Sequence, residues 1–272
     1  MTRRQMMGFC GGLAAARTHF GAEPRREEIR LGVCTYSFHS FQRRLAISMM
    51  KQLGAPYVSV KEFHLPYCIT PQEASRARND FQRAGLTIVS GGVIPLADEE
   101  PAALKRYFEY ARGCGMPMII AAPTHSALGA VEKLAQEFDI RVAIHNHGPE
   151  DEEFPTAKSV LEAVKGRDAR LGLCLDLGHS LRSGAEVVQE LAVAGTRLLD
   201  VHIKDLRSAS EKKSQCDVGE GIMPVVAIFQ QLKKMAYGGC VNLEYEINGD
   251  NPLPGMLHSF GYMRGVLAGL AG

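Results

Sequence analysis

The sequence lacks several signatures that would assign it to other classes of protein. Its 272 residues carry a formal net charge of +1, which gives no reason to expect binding to nucleic acid or to an anionic membrane. No apolar run approaches the ~20 residues that a membrane-spanning helix requires, so we expect no membrane span. The seven cysteines contain no C-x-x-C pair, which argues against a zinc ribbon or a thioredoxin-type site. The overall composition, 46% hydrophobic and 22% charged, is that of an ordinary globular protein.

Three of the cysteines lie inside apolar runs that are typical of strands, at Cys34, Cys174 and Cys240. Free cysteine is among the most frequently buried residue types. We therefore expect these three to be small buried hydrophobic side chains. Nothing in the spacing of the cysteines indicates a disulfide framework.

The first residues of the chain are similar to a twin-arginine export signal. Paired arginines at Arg3 and Arg4 precede a weakly apolar run over residues 6–16, which ends in three alanines that form an A-x-A-like site. The pattern departs from the usual one because Met-Met stands where Phe-Leu is common. We predict a signal segment at residues 1–22, a linker at 23–30 and a periplasmic location, or a cytoplasmic one if the signal does not function.

From residue 31 onward, short apolar runs alternate with helical segments. The runs begin near residues 31, 57, 86, 118, 141, 171, 198 and 240, and they are continuously apolar, as is typical of parallel strands covered by helices. Eight such units fit a closed (β/α)8 TIM barrel of ~250 residues. A doubly wound open sheet is the alternative, but no G-x-G-x-x-G motif follows the first run. The sequence therefore predicts an α/β protein with one TIM barrel over residues 31–272.

Polar side chains end the last four of these predicted strands. Because the carboxyl ends of all strands of a TIM barrel meet at one rim, we expect these side chains to converge. Two imidazoles and two carboxylates suit a divalent ion such as Mn²⁺, Zn²⁺, Co²⁺ or Fe²⁺. They suit Mg²⁺ less well, because that ion is usually bound by oxygen ligands alone. We predict one such ion, held by His145, Asp176, His202 and Glu244.

The same strand ends carry the motifs of a known family: L-D-L-G-H at 175–179, H-I-K-D at 202–205, G-E-G at 219–221 and N-L-E at 242–244. With them, residues 29–270 resemble the xylose-isomerase-like barrel superfamily of sugar (phosphate) isomerases and epimerases. That superfamily includes tagatose/psicose 3-epimerases, inosose dehydratase and type IV AP endonucleases. The resemblance implies Glu, Asp, His and Glu as metal ligands, with the two Glu also serving as the acid/base pair.

The chain departs from the family at the first ligand, where His145-Asn146-His147 stands in place of Glu-Asn-His. A metal-bound imidazole can move a proton only through the nitrogen that the metal leaves free, so a symmetric reaction of two carboxylates is in doubt. Glu244 is then the stronger candidate for proton abstraction, with His145 as the second catalytic candidate. His179 resembles a contact to a substrate hydroxyl or an additional ligand, although it could also make only a hydrogen bond within its loop.

Further residues near the predicted rim are weaker candidates. We predict that four of them bind substrate: Lys61, His64, His147 and Lys204. Asp205 is expected to orient a neighbouring residue. Glu246 should point the same way as Glu244 and is the alternative ligand if the predicted register is shifted.

Three functions are compatible with this set of residues. The first is a metal-dependent isomerase or epimerase that acts on a small carbohydrate by proton transfer next to a carbonyl. The second is a lyase on the same scaffold, which would catalyse β-elimination from a keto glycoside or dehydration of a keto cyclitol. The third is a non-catalytic sugar-binding barrel. An AP endonuclease is disfavoured because the chain lacks a basic excess. The protein could also form a homo-oligomer.

Overall fold

The computed structural model describes residues 29–98 and 100–271, in which eight parallel strands form a closed barrel. Each strand pairs with the strands that precede and follow it in the chain, and the last pairs with the first. The predicted single TIM barrel is thereby confirmed. The predicted signal segment and most of the predicted linker lie outside the described residues. The strands are β1 (Arg30–Cys34), β2 (Tyr57–Val60), β3 (Thr87–Leu96), β4 (Met118–Pro123), β5 (Arg141–His145), β6 (Leu171–Asp176), β7 (Leu198–Ile203) and β8 (Cys240–Leu243).

Helices connect the strands and cover the outside of the barrel. They are α1 (Arg43–Leu53), α2 (Pro71–Arg83), α3 (Pro101–Cys114), α4 (Leu128–Phe138), α5 (Ala157–Ala163), α6 (Leu177–Arg182), α7 (Val187–Ala194), α8 (Val225–Lys234) and α9 (Leu253–Ala271). The start of α2 is fixed by its sequence, because Thr70 forms a capping box with Glu73 and Pro71 is the first helical residue. Within the ranges that the structure describes, no helix is both long enough and apolar enough to cross a membrane.

The interior of the barrel combines apolar side chains with buried polar ones, among them Asp200, which accepts hydrogen bonds from Ser90 Oγ and Asn242 Nδ2. A small apolar cluster in the lumen comprises Met118, Ile120, Ala143 and Cys174. Buried histidine, aspartate, glutamate and lysine side chains follow at the carboxyl ends of the strands. The three cysteines predicted to be buried, Cys34, Cys174 and Cys240, are all buried and have free thiols.

The long loop after β7 is organised by the carboxylate of Asp205, which is fully buried. One oxygen, Oδ1, accepts hydrogen bonds from the backbone N–H groups of Leu206 and Met223, and Oδ2 accepts from those of Gly219 and Gly221. A Cβ atom at position 221 would collide with this carboxylate, so the close approach requires glycine there. The predicted orienting role of Asp205 thus corresponds to contacts with the G-E-G segment.

Replacing Asp205 should destabilise the protein through these four hydrogen bonds. Asparagine keeps one acceptor oxygen and so loses two of the four hydrogen bonds. We expect Asp205→Asn to lower the free energy of unfolding by at least about 3 kcal/mol, since hydrogen bonds to a charged group contribute about 1.5–3 kcal/mol each. Urea denaturation measures the loss. The control is Asp250→Asn, which removes the same charge from an exposed side chain. Equal stabilities of the two variants would contradict the prediction.

Candidate metal centre

The four predicted metal ligands meet in the mouth of the barrel. His145 is the last residue of β5, Asp176 is the last residue of β6, His202 lies in β7 and Glu244 directly follows β8. One donor atom of each lies within 4.8 Å of the others, and all four side chains are buried. Residues far apart in sequence converge here because closure of the sheet places adjacent strand ends around one opening.

The imidazoles of this group contain buried ring nitrogens that a metal ion could bind. Both ring nitrogens of His145 and Nδ1 of His202 are buried without a hydrogen-bond partner. Burial lowers the pKa of His145 to about 3, so its imidazole is neutral and its lone pair is available. Unsatisfied buried polar atoms cost free energy, which a bound cation would remove. The four-residue group therefore fits a divalent metal ion.

Lys204 places a positive charge between the two carboxylates of this group. Its Nζ lies 2.8 Å from Glu244 Oε2, 3.1 Å from Asp176 Oδ2 and 3.5 Å from Glu246 Oε1. Burial by itself would raise the pKa of Glu244 and of Asp176, but the Lys204 ammonium and the neighbouring histidines together outweigh burial and hold both pKa values well below their ordinary range. Both carboxylates are therefore ionised and ready to bind a metal.

Two more histidines flank the group on the β5–β6 side. The ring centroids of His145 and His147 are 4.4 Å apart, and those of His145 and His179 are 5.8 Å apart. Burial lowers the pKa of both His147 and His179, so both rings are neutral at neutral pH. His179 Nδ1 is buried without a hydrogen-bond partner, and His147 Nδ1 lies 3.3 Å from Asp151 Oδ2. Their predicted contacts with substrate remain a prediction.

Lys61 and His64, which are two of the predicted substrate contacts, are hydrogen-bonded to neighbouring backbone. Lys61 Nζ donates a 3.0 Å hydrogen bond to the carbonyl oxygen of Val93. His64 is buried, and its Nε2 lies 3.1 Å from the carbonyl oxygen of Phe41. Over residues 29–98 and 100–271, neither side chain has a hydrogen bond or ion pair with the four-residue group. Their part in substrate binding also stays a prediction.

Asn146 supports the site in a way that the sequence did not reveal. Its Oδ1 accepts a 2.9 Å hydrogen bond from the backbone N–H of Asp176, and its Nδ2 donates to the Asp176 carbonyl oxygen and to Ser180 Oγ. The side chain is fully buried and joins the ends of β5 and β6. Asn146 therefore holds the backbone of Asp176 in place. No spacing rule predicts this contact, because it depends on how two strand ends lie side by side.

The thiols of Cys34 and Cys174 also contact the site, which sequence analysis missed. Cys34 Sγ lies 3.5 Å from His202 Nε2. The donor atoms of Cys174, His145 and His202 lie within 4.8 Å of one another. Alternation along a strand could have indicated Cys174, because it precedes Asp176 by two residues and so shares its face.

Fold and site together define a class: a TIM barrel whose carboxyl rim holds a buried group of His, Asp and Glu that could bind a metal. The chain belongs to the family of xylose isomerase-like TIM barrels, whose model matches residues 47–265. An uncharacterised protein of Methanocaldococcus jannaschii is 28% identical over 130 residues, which span 44% of this chain and 41% of that protein. The chain thus matches less than half the length of this relative.

Solved structures show the same fold at low sequence identity. D-psicose 3-epimerase from Clostridium cellulolyticum H10 superposes with a TM-score of 0.70 at 16% identity, covering 88% of this chain and 99% of that one. The probable 3-DHS dehydratase AsbF from Bacillus anthracis superposes with a TM-score of 0.71 at 15% identity, covering 87% and 99%. An epimerase and a probable dehydratase thus share the barrel fold of this chain.

Removing one carboxylate should abolish metal binding at this group. We expect Asp176→Asn to weaken Mn²⁺ binding more than about 100-fold, because losing a ligand exceeds the 10–100-fold cost of losing a supporting partner. Isothermal titration calorimetry measures the affinity, and circular dichroism checks that the variant is folded. The control is Asp151→Asn, whose carboxylate contacts His147 but lies outside the group. Equal affinities would show that Asp176 is not a ligand.

Lys204 should compete with a metal ion for the same two carboxylates. We expect Lys204→Met to bind Mn²⁺ at least about tenfold more tightly, a gain of about 1.4 kcal/mol, because a like charge is removed. The metal-free variant should be less stable by about 3–5 kcal/mol, since two buried carboxylates lose their cation. Calorimetry and denaturation test both effects, with Lys61→Met as the control. Weaker binding would instead mean that Lys204 holds the carboxylates in a metal-binding geometry.

Proposed function

We propose that the protein is a metal-dependent isomerase or epimerase that acts on a sugar or sugar derivative by moving a proton next to a carbonyl group. The observation that carries the proposal is the position of Glu244. This buried carboxylate belongs to the metal-capable group and lies 2.8 Å from the ammonium of Lys204. Membership of a family with epimerase structures of the same fold supports the proposal.

Glu244 and Lys204 would divide the chemistry of proton transfer between them. The Glu244 carboxylate is ionised at neutral pH and can accept the proton from the carbon next to the carbonyl. As the proton leaves, negative charge develops on the carbonyl oxygen. The Lys204 ammonium, a buried cation near Glu244, can stabilise that charge. A divalent ion held by His145, Asp176, His202 and Glu244 would supply a Lewis acid at that oxygen.

The histidines would complete the site by binding the metal and the substrate rather than by transferring protons. His145 is fully buried and neutral, because burial lowers its pKa to about 3, so it is suited to ligating the metal. His147 and His179, close to His145, can contact substrate hydroxyl groups. The sugar would then bind over the β5–β6 side of the mouth, with Glu244 reaching it from β8.

A lyase on the same scaffold is the second candidate, and one observation favours it. Of the two positions that carry the acid/base pair in the related epimerases, only Glu244 is a carboxylate in this chain, while the other is the neutral His145. Elimination begins with the same proton abstraction and needs a base on only one face. The fold shared with a dehydratase is consistent with this alternative.

Exchange of substrate protons with solvent tests the common first step. The Mn²⁺-loaded protein is incubated in D₂O with a panel of keto sugars and keto cyclitols, and deuterium incorporation is followed by NMR. We expect incorporation next to the carbonyl in at least one compound, and a rate about 10²–10⁴-fold lower for Glu244→Gln. The control is Glu153→Gln, a half-buried carboxylate on the loop after β5.

The outcomes separate the three functions. An epimerised or isomerised product supports the first candidate, and an unsaturated product supports the lyase. Saturable sugar binding without any exchange would indicate a non-catalytic barrel and would overturn the proposal. Equal exchange rates in Glu244→Gln and the wild type would remove Glu244 from the reaction.

A further inference from the structure

The four-residue group shares its two histidines with a second potential metal site. Donor atoms of His145, Cys174 and His202 lie within 4.8 Å of one another, and all three residues are buried. Cys174 precedes Asp176 by two residues on β6, so its side chain shares the inward face of the strand one layer deeper in the barrel. The mouth of the barrel thus contains a carboxylate set and, beneath it, a thiol set built on the same imidazoles.

The orientation of His202 is suited to serving either set. Its Nδ1 faces Glu244, at 3.7 Å from Oε2, and has no hydrogen-bond partner. Its Nε2 faces the deeper thiols, at 3.5 Å from Cys34 Sγ. One nitrogen is therefore directed toward each set. His145 is only 2% exposed, and neither of its ring nitrogens has a hydrogen-bond partner, so it can serve as a metal ligand in either set.

We propose that His145, Cys174 and His202 form a soft ligand set that takes a thiophilic divalent ion such as Cd²⁺, Co²⁺ or Zn²⁺ deeper in the barrel than the carboxylate set. Thiolate and imidazole are the ligands that such ions prefer, whereas carboxylates suit harder ions such as Mn²⁺. Binding releases the proton of the Cys174 thiol to solvent as the S–metal bond forms. Cys34, next to His202 Nε2, provides a further thiol beside this set.

Sharing of the histidines makes the two sets mutually exclusive. An ion in the thiol set occupies both imidazoles, so the carboxylate set cannot hold an ion with its full complement of ligands. The inference rests on the proposed function to the extent that the same histidines are assigned to the catalytic metal. Hard and soft ions therefore bind at different positions. A thiophilic ion in the thiol set displaces a catalytic Mn²⁺ and leaves Glu244 without its metal.

Absorption spectroscopy of the metal-free protein titrated with Cd²⁺ or Co²⁺ tests the proposal. We expect sulfur-to-metal charge-transfer absorption in the ultraviolet at one ion per chain, declining when excess Mn²⁺ is added. Cys174→Ser should lose the absorption and bind Cd²⁺ more than about tenfold less tightly, since even losing a supporting partner costs at least that much. The matched control is Cys240→Ser, which replaces another buried strand thiol that belongs to neither metal-capable group.

The proposal can fail independently of the proposed function. If Cd²⁺ and Co²⁺ bind the wild type without charge-transfer absorption, or if Cys174→Ser retains it, the thiol set is wrong even where Mn²⁺ binding and proton exchange are intact. If the absorption is present and survives Asp176→Asn, the thiol set is supported, whether or not keto sugars exchange deuterium. Absence of this absorption in the wild type overturns the proposal without any variant, so a folding defect in Cys174→Ser does not prevent the test.

Discussion

Two carboxylates are buried in the mouth of this barrel, and both need a cation within reach. Asp176 is inaccessible to solvent and Glu244 is nearly so, so ionising them there without a partner would cost several kcal/mol each. The Lys204 ammonium meets this requirement by contacting both oxygens at 2.8 and 3.1 Å. That contact keeps both carboxylates charged while no metal is bound, and a charged Glu244 is what the proposed proton abstraction requires.

The need of buried carboxylates for a cation also explains why His145 suits this site in place of the glutamate of the family. A third carboxylate in this position would add negative charge to a buried group, whereas a neutral imidazole adds a ligand without adding charge. With His145 next to His202, the ligands become more nitrogen-rich, and the cysteines beneath them add sulfur. These nitrogen and sulfur donors distinguish the mouth of this barrel from a site made of carboxylates and a single histidine.

Much of the fold and the four proposed ligands followed from local patterns. The predicted strand starts agree with the structure to within a residue, because continuous apolar runs between helical segments indicate a parallel sheet. The short helix α6 has no such signal in the sequence, because Asp176 both ends β6 and caps this helix, accepting a 2.8 Å hydrogen bond from the His179 N–H. A residue that ends one element and begins another leaves no loop to mark the boundary.

The sequence by itself determined the barrel and the convergence of His145, Asp176, His202 and Glu244, because strand-end positions in a closed parallel sheet meet at one rim. Only the tertiary structure decided which neighbours complete the site. Lys204 follows His202 by two residues, yet it bridges carboxylates from β6 and the end of β8, while Asn146 spans two strand ends and Cys34 reaches His202 from β1. These contacts depend on distances across the barrel, which periodicity along one strand cannot encode.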